Sequence, residues 1–155
     1  MASGTAPVGS VAGMTPARLR PALALSAFTL FVWTTRIRNI WTDESLTTTG
    51  QIGRTALSVT FTAFAVAVLW LWWQGRRRGS VDPIASPVVR MFAAWTIGVW
   101  AVRAVQIATA GHDAAFVAVH TALAVVSTGL AVWAVQDVRR GLDRGSSPRS
   151  LSSSR

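Results

Sequence analysis

Two arginines stand inside apolar sequence, each at the same place in the same pattern. Val32, Trp33, Arg36, Asn39 and Ile40 recur 67 residues later as Val99, Trp100, Arg103, Gln106 and Ile107. On a helix the i to i+3 spacing puts Trp33 with Arg36, and Trp100 with Arg103, on one face, with Asn39 and Gln106 a further turn along. Such a Trp, Arg, amide ladder stacks a guanidinium on an indole while its fork of N–H donors meets a carboxylate or a phosphate. An ionisable residue within a membrane span costs roughly 2.5–3.5 kcal/mol on insertion scales, so it marks a functional candidate. The simpler expectation is that each arginine snorkels to the headgroups or pairs with Asp43, Glu44 or Asp113. An anion or ligand pocket is the functional alternative.

His120 is the third polar candidate, and the repeat aligns it with Arg54. Beside Thr121 a neutral imidazole is expected to hydrogen-bond across helices. Bis-histidine haem does not fit. The other histidine, His112, is eight residues away on the same segment, about 12 Å along a helix axis, whereas haem takes its axial ligands from opposite faces. Two such histidines and the nearby acids are too few for zinc. The absence of cysteine removes disulfides, thiolate nucleophiles and Cys-metal sites together. No nucleophile and base pair or metal-carboxylate cluster stands out, so neither a cofactor nor an enzymatic activity is expected. All six acidic residues fall in loops or near helix ends, which argues against a proton antiporter working through an intramembrane carboxylate.

The elements that position these residues are membrane helices. Of the 155 residues 51% are apolar and only 14% charged, against about 25% charged in soluble domains. All fifteen basic residues are arginine, a usage we ascribe to a high-GC genome. A span needs about twenty apolar residues to cross roughly 30 Å of hydrocarbon. Residues 55–74 and 114–135 meet this outright. Residues 88–110 do so while enclosing Arg103. The first segment is apolar only over 21–35, roughly 22 Å at helical rise, so it must continue through Arg36 to about Trp41.

A second block carries the duplication further. Thr55, Ala56, Leu57, Val59, Thr62, Ala65 and Val66 return 66 residues later as Thr121, Ala122, Leu123, Val125, Thr128, Ala131 and Val132. The expected fold is an all-α membrane protein with four transmembrane helices in two tandem repeated hairpins, about 21–75 and 88–136. Eleven arginines precede helix one, lie in or beside the middle loop, or follow helix four; Arg36, Arg38, Arg54 and Arg103 lie on the other side. The positive-inside rule then places both termini in the cytoplasm of a bacterial plasma membrane protein.

Residues 1–17 and 141–155 read as disordered tails flanking a membrane domain at 18–140, with Met14 an alternative start. Arg76, Arg77, Arg78, Arg139 and Arg140 are positioned to hold anionic lipid headgroups. The net charge of +9 is explained by topology and does not point to nucleic acid.

The blocks F-V-W-T-T-R-I-R-N at 31–39 and V-H-T-A-L-A-V-V-S at 119–127 resemble uncharacterised small four-helix integral membrane proteins of high-GC actinobacteria. The resemblance covers about residues 20–136 and implies the fold alone. The function expected is a non-enzymatic accessory or scaffold subunit contacting partner membrane proteins, a second copy or lipids. The alternative is a small transporter or channel for an anionic or lipid substrate, with the paired arginines at its site.

Overall fold

The computed structural model describes residues 15–42 and 47–145. A 3-10 turn at Pro16–Leu19 leads into α1 (Arg20–Thr42), followed by α2 (Thr48–Arg78), α3 (Ala85–Thr109) and α4 (Ala114–Gly145). The ends of these helices follow from local chemistry. The Thr47 hydroxyl accepts the Gly50 N–H at 3.3 Å at the start of α2, Asp82 accepts that of Ile84 at 2.9 Å before α3, and Asp113 accepts that of Phe116 at 2.9 Å before α4. The first and last of these satisfy an amide that the first turn of a helix leaves without a partner, and the Asp82 contact is an Asx turn that leads the chain into α3. Gly79 ends α2 at φ 73°, a left-handed conformation that favours glycine.

The four expected helices are present, and α2, α3 and α4 are long and apolar enough to cross a membrane. α1 is helical over 23 residues but carries Arg20, Arg36 and Arg38, which break its apolar run. α4 is longer than the sequence suggests, continuing to Gly145 through the stretch expected as tail from 141. The remainder of both expected tails, residues 1–14 and 146–155, lies outside the described residues, as do Asp43 and Glu44.

α1 packs along α2 and α3 along α4; α1 also lies against α4, while α2 and α3 meet over the shortest stretch. The helices therefore stand in a ring with its loosest seam between α2 and α3. Arg18 and Asp137, 3.9 Å apart, place the start of α1 beside the end of α4.

Burial is uneven along the bundle. On α3 the buried residues are Ala85, Ser86, Val89, Phe92, Ala93 and Thr96, all in its first half, and on α4 the described buried residues are Ser127, Ala131, Ala134 and Val138, none of them in its first thirteen residues. The apolar ones among them form one core with Leu19, Leu25, Phe61, Ala65 and Val68, closed at the end that carries the α2–α3 connection. At the opposite end the second hairpin stands away from the first. Trp33 stacks on Phe61 at 4.4 Å and Phe64 on Phe92 at 5.5 Å, marking where the closed half stops.

The buried hydroxyls of Ser26, Ser58 and Thr96 each donate to the carbonyl four residues earlier at 2.8 Å, so they enter the core satisfied. Large apolar side chains meanwhile face outward, among them Phe31, Val59, Val105, Val119 and Val125. Only 11% of the most apolar stretch of α4 is buried. A water-soluble domain rarely leaves so much contiguous apolar surface open.

Candidate functional site

The open end of the bundle is where the sequence candidates converge. From α1, Arg36 lies over the Trp33 ring with its guanidinium carbon 5.6 Å from the centroid, while Trp33 is held from beneath by Phe61. From α3, Arg103 Nη1 donates to Gln106 Oε1 at 3.1 Å. Of the ladder expected on both odd helices, α1 makes the Trp to Arg rung and α3 makes the Arg to amide rung. Trp33 is buried, and Trp100 is half-buried.

These side chains border an apolar cavity of about 760 Å³. Its walls are Val32, Trp33, Leu57, Phe64, Met91, Ala94, Trp95, Gly98, Val99, Trp100, Val102 and Leu123, and its polar residues are Arg36, Arg54, Arg103, Gln106 and His120. A second cavity of about 480 Å³ shares all five polar residues and adds Ala110, His112 and Phe116. The polar set therefore stands where the two spaces adjoin. Asn39 is exposed and lines neither.

No protein family model, curated protein or solved structure matches this chain. Its chemistry must be read from the site itself.

Arg54 was not singled out by its sequence setting, which is the polar start of α2. The signal is its alignment with His120 in the sequence, which pairs a polar residue on α2 with one on α4, and both border the cavity. No described carboxylate pairs with Arg36, Arg54 or Arg103. Asp113, an expected partner, instead caps α4 through the Phe116 N–H, because its position just before the helix turns its carboxylate toward the first-turn amides.

His120 also departs from expectation. Its Nδ1 lies 2.9 Å from the Phe116 carbonyl oxygen on its own helix, so the hydrogen bond runs back along α4 and not across to a neighbour. A carbonyl oxygen only accepts, hence Nδ1 carries the proton and Nε2 is the ring's remaining polar atom. The splay of the second hairpin explains this, since the facing part of α3 beyond Thr96 has no buried residue. Phe116 stacks between His112 and His120, with centroids 4.2 and 3.9 Å away. That wall of the smaller cavity is therefore a continuous run of rings.

The five expected headgroup arginines gather at the opposite, closed end. Arg76 and Arg77 lie over Trp72 and Trp73 at 5.2 and 3.7 Å, with Trp70 and Trp73 themselves 5.1 Å apart. Arg78, Arg139 and Arg140 are exposed. Indole rings beneath solvent-facing guanidinium groups are the arrangement of a membrane interface. Among the described residues no group of three or more histidines and acids is placed to hold a metal.

Proposed function

We propose that this chain is a multi-pass bacterial plasma membrane protein that binds an oxyanion-bearing ligand, without catalysing its conversion, at the arginine end of its bundle. One observation carries the reading. Arg36, Arg54 and Arg103 come from three different helices, border the same cavity, and have no described carboxylate among them. Snorkelling gives no reason for three guanidinium groups to share one space. Three like charges repel, and an oxyanion relieves that repulsion while accepting paired N–H donors from each fork. The accessory-subunit reading draws on the outward apolar faces of α3 and α4, which lipid covers equally well. Ligand binding is therefore the preferred function, and transport of the ligand or presentation to a partner protein is its setting.

In this reading all four helices span. Helical rise over the 23 residues of α1 gives roughly 34 Å, enough for the hydrocarbon once Arg36 lies near its outer end. The two hairpins are duplicated units related by a pseudo-twofold axis along the membrane normal, and the kinship to small actinobacterial membrane proteins rests on the same segments. Both termini are cytoplasmic, so the arginine cluster faces outward. A reporter fused after Arg155 is expected to register as cytoplasmic and one inserted beside Thr48 as external; an external C-terminal reporter contradicts the orientation.

The binding claim has its own test. Inorganic phosphate is expected to raise the unfolding midpoint of the delipidated protein in detergent above that in chloride at matched ionic strength, since a ligand bound only by the folded state stabilises it. Equal midpoints in the two salts contradict it.

A further inference from the structure

We propose that the ligand is a phospholipid of the leaflet at the arginine end, which enters sideways between α2 and α3, sets its phosphate among the three arginines and lays one acyl chain in the cavity. The proposal rests on the anion-binding reading and names its substrate class.

The cavity is amphiphilic in the sense a phospholipid requires. Its polar residues are confined to one set, and what lies beyond them is Leu57, Phe64, Met91, Trp95 and Val99. A small soluble anion fills the first part and leaves the second without an occupant of matching chemistry. At about 760 Å³ the space falls within the roughly 300–1,000 Å³ typical of small-molecule sites.

The way in is the loosest seam of the ring. α2 and α3 meet over the shortest stretch of any adjacent pair, and α3 lines the cavity with Ala94 and Gly98, four residues apart on one face and both exposed. An ideal Cβ built on Gly98 meets nothing within 4 Å, so the opening is wide at that level. A chain moving from bilayer to cavity exchanges one apolar surrounding for another. The arginines therefore supply most of the preference for the charged lipid, and the chain supplies access, because a lipid anchored in the bilayer meets the site at high effective concentration.

The experiment uses the full chain in detergent, with glycerol 3-phosphate and phosphatidylglycerol as probes read by native mass spectrometry and by unfolding midpoint. The parent is expected to hold phosphatidylglycerol at least about tenfold more tightly than glycerol 3-phosphate. Equal affinities overturn the proposal and leave the anion-binding reading standing. Binding of neither probe overturns both. Gly98→Phe projects a ring into open cavity space without a backbone clash, and Ala94→Phe does so one turn earlier. Each is expected to lower phosphatidylglycerol retention by roughly tenfold while the stabilisation by inorganic phosphate stays at the parent value. Undiminished retention in both variants places the chain outside the cavity and overturns the proposal.

Discussion

Replacing Arg36, Arg54 or Arg103 by Leu is expected to remove most binding of a phosphate-bearing ligand while the bundle still assembles. A hydrogen bond to a charged group contributes about 1.5–3 kcal/mol, so each substitution should weaken binding by roughly tenfold to a hundredfold, at about 1.4 kcal/mol per decade. The sign of the stability change separates this account from its competitors. In phosphate-free buffer, with parent and variants alike stripped of lipid, each variant should unfold at the parent temperature or above it, because a like charge has left the cluster and the insertion cost of about 2.5–3.5 kcal/mol for an arginine within a span has gone with it. Snorkelling anchors predict the same stability but no loss of binding. A structural ion pair predicts the reverse, a lower midpoint, because the abandoned carboxylate is left buried alone. Midpoints with and without phosphate, measured on all three variants, distinguish these outcomes.

The second large effect is structural. Phe61→Ala is expected to destabilise the bundle by about 2–3 kcal/mol: large-to-small changes of this kind cost roughly 3–5 kcal/mol in soluble cores, and the part due to transfer from water shrinks where lipid replaces water. Phe61 is 1% exposed, stacks on Trp33 of α1 at 4.4 Å and lies 6.3 Å from Trp95 of α3. Its removal detaches three helices from one another and withdraws the platform beneath Trp33, on which Arg36 rests. Phosphate-induced stabilisation should fall in the same variant. Val59→Ala on the same helix, where Val59 is 55% exposed, should change stability by no more than about 0.5 kcal/mol. Thermal unfolding in detergent followed by circular dichroism compares the two, and similar midpoints contradict the assigned core.

What could be read from the sequence is what apolar run length and local spacing determine. Four helices were legible because segments such as 55–74 are too apolar and too long for anything else, and the weakness of the first was visible in the interruption by Arg36 and Arg38. Arg36, Arg103 and Gln106 were legible because the repeat reports them twice. Arg54 was not, since it sits before the apolar run of α2 and joins the cluster only when α2 packs beside α1. The cavity was not legible either. It exists because the second hairpin stands away from the first beyond Thr96, and no local pattern encodes how far two hairpins diverge. The geometry of the two rungs has the same origin: Trp33 is fixed by Phe61, a contact between helices, and Arg103 on the open side donates to Gln106 on its own helix.

The most direct test of the arginine cluster as a binding site is the phospholipid phosphorus that stays with the protein through detergent purification, compared between the parent and a chain carrying Arg36→Leu, Arg54→Leu and Arg103→Leu together. The account predicts close to one phosphorus per parent chain and almost none in the triple variant, with helical content unchanged. Equal phosphorus in both would contradict it, because the ligand would then be held by surfaces to which the three arginines contribute nothing.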